Sequence, residues 1–188
     1  MSSATGLPTE TPARALWLGL LIAAGIGSSL FLACVTPFAA IATLAALNLR
    51  RLEGVAVVLT VWLATQAIGF GLLGYPRTLN CLAWGLAIGL SGLLGFAAAR
   101  ALSSSQPVRL AVSLPFVASF AVYELGLDVA GAFLGTEAGA FSFAVVKQVF
   151  LINLVALLVL QAASGLVRTF GLFGGGPVEP PGLAAASH

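Results

Sequence analysis

The sequence predicts an all-α integral membrane protein, a bundle of six transmembrane helices with both termini cytoplasmic. Three observations carry this. Of the 188 residues, 60% are hydrophobic and only 7% are charged, with a mean hydropathy of +1.08; a soluble surface needs about 25% charged residues. Apolar runs of about twenty residues, the length that crosses a bilayer core, recur along the chain. The breaks between them are short and polar, and they collect the arginines.

Residues 1–13 form a polar tail with Glu10 and no Lys or Arg, unlike a secretory signal. Residues 14–170 form the membrane domain. Its first span is 15–33, where Gly19, Ala23 and Gly27 recur every four residues. Such a stripe lets a second helix approach closely in lipid, either within this bundle or from a partner. Phe31-Leu32-Ala33-Cys34 has some likeness to a lipoprotein cleavage box, but Phe stands where Leu is usual, and a buried, inert cysteine is the plainer reading. Thr36-Pro37 opens the second run, 38–49, as Pro suits a first helical turn. That run is short for a span, so the helix starts inside the membrane or tilts.

A polar hinge, 48–54, leads to the third span, 55–73, with Trp62 and Gln66 inside it. Gly74-Tyr75-Pro76-Arg77-Thr78-Leu79-Asn80-Cys81 is the next break, and 82–102 the fourth span, with Gly85, Gly89, Gly92 and Gly95. Residues 103–107 make a turn. The fifth span, 110–134, carries Glu124 and Asp128; Gly135–Gly139 is a loop; the sixth span, 140–167, carries Lys147, Gln148 and Asn153. The Gly/Pro-rich tail 171–188 reads as disordered. With both termini inside, Arg14, Arg50, Arg51, Arg100, Arg109 and Arg168 are cytoplasmic and Arg77 alone is outside. Cys34, the Tyr75–Cys81 loop and the Gly135–Gly139 loop then share the outer face.

Absences narrow the chemistry. There is no basic run for nucleic acid and no G-x-x-x-x-G-K-[ST] for ATP. The only histidine is the terminal His188, which removes His-based triads, H-E-x-x-H zinc sites and His-ligated haem. One Met and no internal His argue against a metal-ion permease. No cysteine pair shares a loop, so thiol oxidation is disfavoured. Glu124 and Asp128, four apart on one helix face, sit in the outer half of the fifth span, at a depth similar to Lys147. Charges at that depth call for partners, and Lys147 is expected to neutralise Glu124 or Asp128. These groups form a polar cavity wall, a structural ion pair, or both.

Cys81 opens the fourth helix, where free N–H groups and the helix dipole favour a thiolate, and Arg77 precedes it by four residues. The plain reading is a small apolar residue at a helix start. A single thiolate is a poor site for a bare ion but suffices as one axial ligand when a macrocycle supplies the other donors. A Cys34–Cys81 disulfide is the alternative state.

Six short-looped helices, the stripe on the first and the absence of an ATPase motif resemble the substrate-binding S-components of energy-coupling factor (ECF) transporters. The lone Cys81 before the fourth helix resembles their solitary cobalamin-specific branch, the BtuM proteins. The resemblance covers about 14–170. It implies an S-component-like bundle in a bacterial cytoplasmic (inner) membrane, with cobalamin as transported ligand and no intrinsic cofactor. Cys81 would be the axial cobalt ligand, with a role in loss of cyanide from cyanocobalamin. Gly19, Ala23 and Gly27 would meet an ECF coupling module of membrane subunit plus ATPases, if one is used. A corrinoid has an apolar rim and polar amides, so its cavity should mix aromatics with polar partners. The outer ends offer Phe38, Tyr75, Trp84 and Tyr123, with Thr36, Arg77, Thr78, Asn80, Asp128 and Glu137; Phe31, Phe133, Phe141 and Thr136 lie there too. The rival readings are an S-component for another vitamin with Cys81 structural, an intramembrane enzyme with a Cys81 nucleophile, and a membrane assembly subunit.

Overall fold

The computed structural model describes residues 12–31, 36–103 and 111–169. They form six helices: α1 Pro12–Phe31, α2 Phe38–Asn48, α3 Arg51–Gly71, α4 Leu79–Leu102, α5 Ser113–Leu134 and α6 Phe143–Thr169. The described residues contain no strand. α3, α4, α5 and α6 include stretches long and apolar enough to cross a membrane.

The bundle is built around its shortest helix. α2 has 11 residues, about 16 Å at 1.5 Å per residue, roughly half a hydrocarbon core. Phe38 to Ala46 are all buried, and α1, α3, α4, α5 and α6 all pack against it. Five of its residues are alanine. Alanine favours the helix and keeps it thin, so five neighbours can approach.

A half-length helix in an apolar core leaves backbone groups that neither the helix nor water satisfies. Distant side chains take over both ends. At the N-terminus, Asn153 Oδ1 from α6 accepts from the backbone N–H groups of Ala39 (3.1 Å) and Ala40 (3.2 Å), while its Nδ2 donates to Val149 O at 3.0 Å. At the C-terminus, Arg100 Nη1 from α4 donates to Ala46 O and Leu49 O, both at 2.7 Å. Inside α2, Thr43 Oγ1 donates to Ala39 O at 2.7 Å.

The glycines of α4 are where other helices lie close. A Cβ on Gly89 would sit 2.7 Å from the Trp62 indole of α3; one on Gly92, 3.3 Å from Phe38; one on Gly95, 3.0 Å from Ser119. Trp62 Nε1 also donates to Gly85 O at 2.7 Å, tying α3 to α4. α1 packs its other face inward. Leu21 is in the core, and Gly25 lies against Val61 and Ile41.

Arg50, Arg51 and Arg100 gather at the end where α2 and α4 finish and α3 begins. Arg77 and Glu137 lie at the opposite end. Arg14, Arg109 and Arg168 are outside the described side chains, as are Phe31, Cys34 and the tail 171–188. Several boundaries differ by a few residues from the sequence expectation, and two of the shifts have a visible cause. α3 starts at Arg51 because Glu53 Oε2 accepts from Arg50 N at 3.0 Å, drawing the polar hinge into the helix. α4 starts at Leu79 because Thr78 caps it, so Asn80 and Cys81 belong to its first turn.

Candidate functional site

The Gly74–Cys81 break is shaped from both sides. Gly74 takes a left-handed conformation (φ 68°), which glycine adopts without a Cβ penalty. That lets Tyr75 N turn back to donate to Gly69 O at 3.0 Å. The Tyr75 ring then lies over Gly69, where a Cβ would come within 2.6 Å of it, and stands edge-on to Phe70 with centroids 6.1 Å apart. Thr78 is the N-cap of α4: its Oγ1 accepts from Cys81 N at 3.2 Å. Arg77, Thr78 and Asn80 are exposed.

Cys81 is a free, half-buried thiol; Cys34, its partner in the alternative disulfide, lies outside the described residues. Trp84 and Gly85 follow it by three and four residues and share its helix face. Gly85 receives the side-chain amide of Gln66 from α3. Trp84 reaches α5: a Cβ on Gly131 would lie 3.6 Å from Trp84 Cη2, 3.0 Å from Phe141 Cε2 and 2.7 Å from Thr136 Cγ2. Cys81 therefore stands above the seam where α4 meets α3 on one side and α5 on the other. The α5–α6 loop, with Thr136 and Phe141, closes on the α5 side of that seam. Gly135 (φ 80°) ends α5 and permits the fold-back.

The other expected site residues divide. Trp84 shares the helix face of Cys81, Tyr75 packs on Gly69 and Phe70 of α3, and Glu137 is exposed on the α5–α6 loop. Thr36, Phe38 and Tyr123 are buried in the bundle, where Phe38 and Tyr123 stack with ring centroids 5.8 Å apart. Asp128 is exposed on α5.

The expected ion pair is not formed. Among the described residues, Lys147 pairs with neither Glu124 nor Asp128; Lys147 and Asp128 are exposed and Glu124 is half-buried. The reason lies lower in the bundle. α6 seats on α2 through Asn153, and it meets α5 through bulky rings, Phe150 against Phe116 (5.5 Å) and Phe120 (5.0 Å). Those rings hold the two helices apart.

On α1 the stripe faces outward. Gly19 and Ala23 are exposed and Gly27 half-buried, and a Cβ on Gly19 or Gly27 would meet nothing within 4 Å. Two apolar grooves mark the bundle's sides. One of about 350 Å³ runs between α3 and α4 past Trp62 and Gly89. The other, of about 490 Å³, is lined by Ala24, Pro37 and one face of α6. Neither is lined by Cys81. Among the described residues no three His, Cys, Asp or Glu side chains converge on a metal position. A metal at Cys81 would need its remaining donors from its own ligand.

Sequence reading missed Arg100 and Asn153 as end caps of α2 and Gly131 as the seat of the α5–α6 loop. A polar residue inside an apolar run was the available signal for Asn153; for Gly131 there was none. Searches against protein-family models, curated proteins and solved structures return no match.

Proposed function

We propose that this chain is a cobalamin-uptake protein of a bacterial cytoplasmic membrane, with the Arg77 end outward and Cys81 as axial ligand to cobalt. The observation that carries the proposal is the position of Cys81: a free, half-buried thiol at the helix end opposite the arginine cluster, beside Trp84. The thiolate is a soft donor matched to a metal already held by a macrocycle. Trp84, Tyr75 and Phe141 offer apolar faces to a corrin rim. Thr78, Asn80, Thr136 and Glu137 offer hydrogen-bond partners to its amides.

Ligation also supplies a route to decyanation. The Cys81 thiol would give up its proton, and its sulfur lone pair would form a Co–S bond on the axial face that the vitamin's own nitrogen base vacates, while cyanide would leave the opposite face with its own electron pair as CN⁻. Cobalt stays Co(III), so no reductant is needed. The electron-rich thiolate favours this by weakening the opposite bond. The resemblance to S-components further suggests that the outward stripe Gly19, Ala23, Gly27 meets a coupling module within the bilayer.

The test is the identity of the bound molecule. Protein purified from cells supplied with cobalamin should retain a corrinoid, identified by mass spectrometry, and should restore growth of a cobalamin auxotroph that lacks its own importer. A different co-purified vitamin would replace this reading with that of an S-component in which Cys81 is structural.

A further inference from the structure

A groove of about 490 Å³ runs between α1 and α6, past the entry to α2 at Pro37. Pro37 and Ala24 contribute from α2's entry and from α1, and α6 supplies the long wall, from Gln148 to Leu160. Those twelve steps cover about 18 Å, a little more than the roughly 15 Å depth of one leaflet's hydrocarbon. The wall is apolar along its length except at Gln148.

Lys147 stands at that polar end. It precedes Leu151 by four residues, so it lies one turn above a groove-lining position on the same face of α6. Its Cβ tilts toward the helix N-terminus, the direction of the nearer membrane surface. The two carboxylates that sequence alone offers it are not engaged, and its ammonium is exposed. An apolar slot of one-leaflet depth, with an amide and an exposed cation at its mouth, has the chemistry of a single lipid: acyl chain below, phosphate above.

We propose that this groove binds an anionic phospholipid, with one acyl chain along Leu151, Val155 and Val159 and the phosphate on Lys147 and Gln148. Charge complementarity at the mouth and the length of the slot favour this occupant over a second copy of the chain. The site is separate from Cys81.

The full chain, purified in detergent, is mixed with phosphatidylglycerol or phosphatidylcholine of identical acyl chains, and bound lipid is counted by native mass spectrometry. The parent should retain phosphatidylglycerol about fivefold better, the contribution expected of one basic side chain. Lys147→Gln should equalise the two lipids. Val155→Trp, which fills the slot from an exposed position, should lower retention of both while leaving the melting temperature unchanged. Equal retention of the two lipids by the parent, or an unchanged preference in Lys147→Gln, would overturn the proposal. So would a dimer that Val155→Trp dissociates.

Discussion

Asn153 Oδ1 lies 3.1 Å from the backbone N of Ala39, 114 positions earlier in the chain, and accepts its hydrogen bond. It accepts a second from Ala40. The Asn153 side chain is fully buried, so no water can replace it. Asn153→Leu strands two N–H groups and should lower stability by about 2 kcal/mol. Thermal unfolding in detergent reads this. Asn48→Ala removes an amide that bonds only within its own helix and should shift stability by about 0.5 kcal/mol or less. Equal melting temperatures for the two variants would contradict the capping role.

Arg100 does the same work at the other end of α2. Its two bonds, to Ala46 O and Leu49 O, are charge-assisted. Arg100→Leu should cost about 2 kcal/mol or more, since a bonded charge is lost and two carbonyls are left unmet. Arg100→Lys keeps one cationic donor group and should recover part of that. A Lys variant no better than Leu would mean that the placement of Nη1 between the two carbonyls, not the charge, holds the helix end.

How much of this was legible in the sequence depends on range. The six apolar runs follow from local composition, and so did the shortness of 38–49. Its place at the centre did not, because that depends on Asn153 and Arg100, which are far away in the chain. Lys147 shows the converse error. Matching depth suggested a partner on α5, but depth says nothing of azimuth, and the Phe116–Phe120–Phe150 rings space the helices. At the site, Cys81, Tyr75 and Thr78 could be named because they fill one short break. The meeting of Trp84 with Thr136 and Phe141 could not, since it runs through Gly131.

The two sets of small residues should respond differently to one methyl group. Gly89→Ala pushes a Cβ within 2.7 Å of the Trp62 indole and threatens the Trp62–Gly85 bond. It should cost about 1–3 kcal/mol by overpacking. Gly19→Ala meets nothing within 4 Å and should be neutral or gain up to about 1 kcal/mol from helix propensity. Thermal melts of both proteins check this. A destabilised Gly19→Ala would place that face of α1 against something inside the bundle.

Ligation of cobalt by the Cys81 sulfur, as proposed, is tested most directly by the absorption spectrum of the purified protein with hydroxocobalamin. The parent should shift the corrin bands away from those of the free vitamin. Cys81→Ala, a change at a half-buried helix position, should give a stable protein that no longer shifts the bands. A parent spectrum identical to that of the free vitamin, or a shift that survives in Cys81→Ala, would contradict the account.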